Sequence, residues 1–442
     1  MNWADKAVFY HIYPLGFCGA PLENDFDSLP QERIQKVADW ADHIADDLGC
    51  DALYLGPIFE SDRHGYDTAD YRLIDRRLGS NEGFRKVVDR LHDKGIRVVL
   101  DGVFHHTGRH FGPFLDVLQK RWDSPYKDWF FLNFDGDNAF HDGLWYDCWE
   151  GHQELVKLNV GHPDVRRYLL DSAEGWIREF DIDGIRLDVA YCLDHSFMQE
   201  LSARCRSVKP DFYLLGEVVH MNDNLKRLLD PDMLHSVTNY ECYKGLYSSF
   251  NDQNLFEIAH SLERLFGDQP WCLFTGKHLY NFADNHDVSR FATALKCGDQ
   301  MEAAYTLLYT IPGIPSVYYG SEWAVHGDKR DGDNALRPCL DLAEQKECAL
   351  VCHLKKLAEV KKNHPALWEG DYQKEFLTNK QFAFSRNGGG ESLLVFINAE
   401  GQEGRFQLNR AVKGTDLLTG QPVGIQGEFY LPAYGSAIVK VE

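Results

Sequence analysis

The chain predicts an α/β fold: a (β/α)8 TIM barrel, a small subdomain inserted after the third barrel strand, and a C-terminal antiparallel β-sandwich. Three observations predict it. Across the first 367 residues, short apolar runs of strand type alternate with stretches of helical period, the rhythm of a βα series. Several of these runs end on an acid or an imidazole, at the strand end where barrels keep their chemistry. From about residue 368 the helical period stops, and β-type runs separated by Gly and Asn follow. At 442 residues the chain exceeds one ordinary domain and has room for a barrel with satellites.

The expected barrel strands fall at 7–17, 52–58, 96–103, 183–189, 212–218, 236–240, 279–285 and 316–320. Between the second and third, Phe84, Val87, Val88 and Leu91 recur at helical spacing, with Ser80 as a cap and Gly95 as a stop. Val165, Tyr168, Leu169, Trp176 and Ile177 repeat the pattern after Pro163 and lead into the fourth strand. The stretch 105–162 is too long for a bare βα loop. It carries Trp122, Trp129, Trp145 and Trp149, most of which are expected in its core. The barrel is therefore expected over 1–104 and 163–367, the insertion over 105–162 and the sandwich over 368–442. In the sandwich, QFAFS, SLLVFIN, GRFQL, EFYLP and SAIVKV read as strands, and Gly388-Gly389-Gly390 as a turn.

The strand ends carry the chemistry. FDIDGIRLDVAY, residues 180–191, reads as a buried parallel strand with Arg186 two residues before Asp188. An Asp at that place is also a common helix cap, so this run alone leaves both readings open. GIRVVLDGVFHH adds Asp101 and His106, FYLLGEVVH adds Glu217, and LYNFADNHDVSR adds His286 and Asp287. Such strands, in order along one βα series, converge on one end of a barrel.

Taken in that order, DGVFHH, GIRLDVA, GEV and FADNHD resemble the motifs of the α-amylase superfamily of retaining glycoside hydrolases, over roughly residues 7–442. Within it, YDTADYRLID, PYKDWF, KLN and GIRLDVAYCLDHSF are most similar to the cyclomaltodextrinase, neopullulanase and maltogenic amylase group. The resemblance implies Asp188 as nucleophile, Glu217 as acid/base and Asp287 as the third carboxylate, with His106 and His286 donating to the sugar. A retaining enzyme needs such a pair because the leaving oxygen takes a proton while a carboxylate captures the anomeric carbon from the other face. Glu217 must then be protonated and Asp188 ionised at rest, and Arg186, on the same strand face as Asp188, is expected to hold that charge. Asp101 is expected to support the site. Tyr66, in RHGYDTADY, resembles the Tyr that stacks on the sugar at the cleavage point; Asp333 and Arg337, in DNALRP, resemble a pair binding the next sugar outward.

The implied activity is hydrolysis of α-1,4 bonds in maltodextrins and cyclodextrins through a covalent glycosyl-aspartate. An exo-acting α-glucosidase or a 4-α-glucanotransferase sharing that intermediate is the alternative. A catalytically silent glucan-binding protein is disfavoured by the intact Asp188, Glu217 and Asp287. Many relatives hold a structural calcium with an Asn and an Asp at positions that are His105 and Lys157 here, so no metal or cofactor is expected. Members of the closer group usually carry an N-terminal β-domain that mediates dimerisation, whereas this chain begins with the barrel, and the oligomeric state stays open. A formal charge of −22 disfavours nucleic acid and anionic membranes and suits a neutral α-glucan oligosaccharide. No apolar run approaches the ~18 residues of a membrane span. Eleven Cys without short paired spacings, together with the lack of a signal segment, point to a cytoplasmic protein.

Overall fold

The computed structural model describes residues 2–442, without the side chains of Asp223 and Asn224; Met1, at which the expected barrel opens, lies outside the described residues. Eight parallel strands form the barrel: β1 Phe9–Ile12, β2 Ala52–Leu55, β3 Arg97–Gly102, β4 Gly184–Leu187, β5 Tyr213–Gly216, β6 Ser236–Val237, β7 Tyr280–Phe282 and β8 Ile314–Tyr318. Phe9 pairs with Ser316, which joins β8 to β1, and a parallel bridge between Thr238 and Tyr280 closes the ring from β6 to β7.

The strands are apolar on both faces because both faces are covered. Leu53, Val98, Leu100, Ile185, Leu187, Leu214 and Val317 point outward into the helical layer. Phe9, Val99, Tyr213, Leu215, Tyr280 and Ile314 point inward and fill the barrel. The next inward positions toward the C-terminal end are His11, Tyr54, Asp101 and Arg186, all buried. The packed apolar layer thus gives way to a polar one, which becomes the floor of the site.

The first seven strands are shorter than the apolar runs that encode them, and the eighth, Ile314–Tyr318, begins two residues before its expected start. The run 7–17 stops pairing at Ile12, because Pro14 has no N–H to give a ladder and instead opens a helical turn, Pro14–Phe17. The helix Asn81–Asp93 is capped as expected: Ser80 accepts the Gly83 N–H, and Gly95 leaves the helix at φ +74. Pro163–Phe180 begins at its Pro and ends on Asp181 in the left-handed region.

Within 105–162 lie the helix Gly112–Lys120, a three-stranded sheet of His106–Thr107, Cys148–Trp149 and His152–Lys157, and a small ladder of Leu132–Asn133 with Trp145–Tyr146. Phe114, Phe130 and Tyr146 meet edge-on in its core. Its tryptophans correct the expectation, since Trp129 is buried while Trp122 and Trp145 are 65% and 44% exposed. Aromatic size alone does not place a side chain inside when Phe and Tyr already fill the available volume.

The C-terminal strands, β9 Gln373–Leu377, β10 Gln381–Gly388, β11 Glu391–Asn398, β12 Gly404–Asp416, β13 Pro422–Leu431 and β14 Ser436–Val441, pair antiparallel in the order β9-β10-β11-β14-β12-β13. This one sheet curls on itself, so that Phe396 of β11 meets Phe406 of β12 and Phe429 of β13 to make a second core. The outer face packs on the barrel. Buried Arg386 ties the two together by donating to the carbonyls of Thr310, Leu367, Gly370 and Asp371.

Candidate active site

The in-register pairing of β3 and β4 sets Arg186 opposite Asp101. From there the guanidinium organises the site. Arg186 Nη1 donates to Asp101 Oδ1 and to Asp188 Oδ1, both at 2.8 Å, and Nη2 lies 2.9 Å from Glu217 Oε1. Asp101 Oδ2 also accepts from Tyr54 at 2.7 Å and Tyr66 at 3.0 Å. Asp188 and Glu217 each stand one residue beyond their strands, so their carboxyls rise above this floor. Between them, Val189 sits at φ +40, a left-handed conformation that costs a β-branched residue about 1–3 kcal/mol. The turn aims the Val189 N–H at Glu217 Oε2, 3.0 Å away.

A second group gathers around Asp287. Its carboxylate lies 3.1 Å from His286 Nε2 and 3.2 Å from Arg337 Nη2. Arg337 also reaches Asp333 at 3.2 Å and donates from Nε to the His286 carbonyl at 3.0 Å. Tyr66 stacks on His286, with ring centroids 5.6 Å apart, and their hydroxyl and Nε2 are hydrogen-bonded. His106 Nε2 faces Asp188 Oδ2 at 3.7 Å and has no hydrogen-bond partner among the described residues. Every residue expected in the site is therefore assembled in one place. Tyr66, His106, Asp188, Glu217, Asp287, Asp333 and Arg337 line a cavity of about 570 Å³, and Asp101, Arg186 and His286 lie beneath it.

Burial pushes Asp188 well above the ordinary carboxylate range, and raises Glu217 and Asp101 as well, while Arg186 opposes the shift at all three. One positive charge serves three buried carboxyls, which cannot all be ionised together. Arg186 therefore favours the charged form of Asp188, as expected, but it does the same for Glu217 and Asp101. The arginine grips both Asp188 and Glu217, one nitrogen each. Burial, with His105 and His64 nearby, holds His106 far below its usual value, and burial with Arg337 does the same to His286, so both rings are neutral.

Sequence reasoning missed His64, Glu154, Tyr191, Tyr240 and Lys329, which also line the cavity, and did not single out Trp149, which lines the wall stacked on His152. Tyr240 carried a usable signal, because it closes the sixth apolar run as Glu217 closes the fifth. A second cavity of about 610 Å³ shares His64, Glu154, Asp333 and Arg337 with the first and continues to Tyr13 and Glu23.

The residues at the relatives' calcium position do not fit that ion. Lys157 Nζ donates to Asp147 Oδ2 at 2.7 Å, so the residue here is an ammonium and it engages the nearby carboxylate. Burial and Lys157 lower His105 to about 4, and its ring nitrogen faces His106 at 3.3 Å. Hard Ca²⁺ takes six to eight oxygens, and this set supplies too few. Treatment with EDTA is accordingly expected to leave both turnover and melting temperature unchanged; a fall of several degrees reversed by added calcium would contradict this.

Strand-end carboxylates gathered over the floor of a (β/α)8 barrel, lining one cavity, define the class: this is a glycoside hydrolase. A family model described as "Alpha amylase, catalytic domain" matches residues 34–387, and the chain belongs to the alpha-amylase family. It is 34% identical to a cyclomaltodextrinase of Geobacillus thermopakistaniensis (strain MAS1), over 100% of this chain and 78% of that protein. It is 32% identical to the intracellular maltogenic amylase of Bacillus subtilis (strain 168), over 90% of this chain and 69% of that one. Among solved structures it is similar to the cyclic α-maltosyl-(1→6)-maltose hydrolase of Arthrobacter globiformis, with a TM-score of 0.84, 28% identity and full coverage of both chains. No helix among the described residues is long and apolar enough to cross a membrane.

Proposed function

We propose that the protein is a retaining hydrolase of α-1,4-glucosidic bonds in maltodextrins and cyclodextrins, working through a covalent glycosyl intermediate on Asp188. The observation that carries this reading is the Arg186 bridge, with Nη1 on Asp188 at 2.8 Å and Nη2 near Glu217 at 2.9 Å. Sharing one guanidinium keeps the two carboxyls near each other, as the paired-carboxyl chemistry of a retaining enzyme requires.

Asp188 attacks the anomeric carbon while Glu217 gives its proton to the leaving oxygen. The carboxyl pair is poised for this because one cation serves both, so one of them holds the proton, and a bound glycosidic oxygen beside Glu217 draws it there. Glu217, now ionised, takes a proton from the water that attacks the glycosyl-aspartate, and the cycle closes. His106, with its free Nε2, donates to a hydroxyl of the reacting sugar, and Asp287, steadied by His286 and Arg337, accepts from others. Tyr66 offers its ring to the C–H face of that sugar, and Asp333 with Arg337 holds the next one outward. We place the reaction in the cytoplasm; the Bacillus subtilis relative is itself named intracellular.

The test is a time-resolved product profile from β-cyclodextrin and linear maltoheptaose. Ring opening with accumulation of maltose is the expected result. An inert ring with glucose released from the linear sugar would replace this reading with an exo-acting α-glucosidase, and longer oligosaccharides would replace it with a glucanotransferase. A second reading comes from the Arthrobacter globiformis enzyme, which matches this chain from end to end. Cyclic α-maltosyl-(1→6)-maltose therefore belongs in the same assay, and its preferential cleavage would move the specificity to α-1,6 bonds.

A further inference from the structure

Two side chains beside the reacting carboxyls have no task in this mechanism. Tyr240 follows β6 and places its hydroxyl 3.4 Å from Glu217 Oε1, and the Asn285 amide donates to the same hydroxyl oxygen at 3.0 Å. Asn285 is fixed in that sense, because its Oδ1 accepts the Asp287 N–H at 2.8 Å and so turns the nitrogen toward Tyr240. The phenol oxygen thus receives one hydrogen, and its own hydrogen finds its acceptor in Glu217 Oε1. Burial and the charges of Glu217 and Asp287 push the Tyr240 phenol well above its usual value, which keeps it a donor at every working pH.

We propose that Asn285 and Tyr240 form a one-way hydrogen-bond relay onto Glu217, in which Tyr240 is a positioning residue that favours the ionised carboxylate. The relay rests on the reading of Glu217 as acid/base. An acid that also serves as base must give up its proton readily in the first half-reaction and remain ionised long enough to take one in the second. A donor aimed at Oε1 assists both, because it bonds more strongly to a carboxylate than to a carboxylic acid. The contact is long in the free enzyme, as catalytic hydrogen bonds often are before substrate closes on them.

Among the described residues, charged and titratable groups face Glu217 from several elements. Arg186 faces it from β4, with Asp101 of β3 and Tyr54 of β2 beneath; Asp188, Tyr191 and Cys192 approach from the turn after β4, and Asp287 from beyond β7. Arg186 and the Val189 N–H are bound to Glu217 at 2.9 and 3.0 Å through contacts that do not involve Tyr240. Loss of the Tyr240 hydroxyl should therefore be read at Glu217 itself.

The experiment is the pH profile of kcat/KM on maltoheptaose for wild type and Tyr240→Phe, which keeps the ring and removes the donor. The alkaline limb, which reports loss of the acid's proton in the free enzyme, is expected to move up by about one pH unit. A 3-fluorotyrosine at position 240, a stronger donor of nearly the same shape, should move the limb down, and gives the test if the Phe variant folds poorly. An unmoved limb in both overturns the relay. Glu217→Gln, assayed on an aryl α-maltoside whose leaving group needs no acid, separates the two failures. If that variant keeps the alkaline limb, the acid/base reading fails and the relay with it. If it loses the limb while Tyr240→Phe leaves it in place, the relay alone fails.

Discussion

Asp188→Asn is expected to lower kcat on maltoheptaose by at least about 10⁴-fold while leaving the melting temperature unchanged or higher. The loss follows from the chemistry: an amide oxygen cannot form the glycosyl ester, and without that intermediate the bond has no second half-reaction. The stability effect follows from the floor of the site. Asp188 is 5% exposed and shares Arg186 with Asp101 and Glu217, so three buried carboxyls compete for one cation. Burial already drives Asp188 far from its ordinary ionisation, which means the folded protein bears a cost to keep it charged. Asparagine keeps the shape and can still accept from Arg186 Nη1, and it removes one competitor. A catalytic group held in an unfavourable place is typically replaced at no loss of stability. Turnover and a thermal melt of the same preparation check both halves. Near-normal activity would sink the nucleophile assignment; a melting temperature lowered by several degrees would show that Asp188 is structural, and that the carboxyls do not compete as argued.

Some parts of this site are legible in the chain and others are not, for identifiable reasons. Asp188, Glu217 and Asp287 stand out together because each follows an apolar run, and several such strand ends in order along one βα series converge where a barrel keeps its chemistry. Tyr240 obeys the same positional rule and passes unnoticed, since an aromatic residue at a strand end reads equally well as packing. The strands themselves are overestimated at 7–17 because apolar character continues past Pro14, whereas the ladder needs an N–H that Pro14 lacks. Trp122 and Trp145 mislead because sequence shows residue volume but not whether other side chains have already filled the core. The triple engagement of Arg186 depends on register. Nothing within the run GIRLD says that Arg186 will lie opposite Asp101, a partner 85 residues away.

That register gives the second large expectation. Arg186→Met, close in length and without charge, should destabilise the protein by about 3–5 kcal/mol at pH 7, the usual cost of removing one partner from a buried ion pair. The variant should recover part of that loss on acidification. The sign follows from the carboxyls. Asp101, Asp188 and Glu217 are raised by burial even with Arg186 present, and without it they rise further. A carboxyl whose folded value lies above its unfolded one binds more protons when folded, so its contribution is complete below the ordinary range near pH 4 and is lost as the pH climbs toward the folded value. For the variant, stability should therefore increase steadily from pH 8 to pH 5, where the wild type, with its cation in place, changes much less. Urea unfolding at pH 5, 6, 7 and 8 measures this directly. A variant as stable as the wild type at pH 7, or one that weakens on acidification, would mean that Arg186 is not the charge that holds the three carboxyls together. Activity adds an independent reading, because Arg186 also sets the distance between Asp188 and Glu217. The variant should remain nearly inactive at pH 5, where its stability is best, since protonating the carboxyls restores the fold but not the ionised nucleophile.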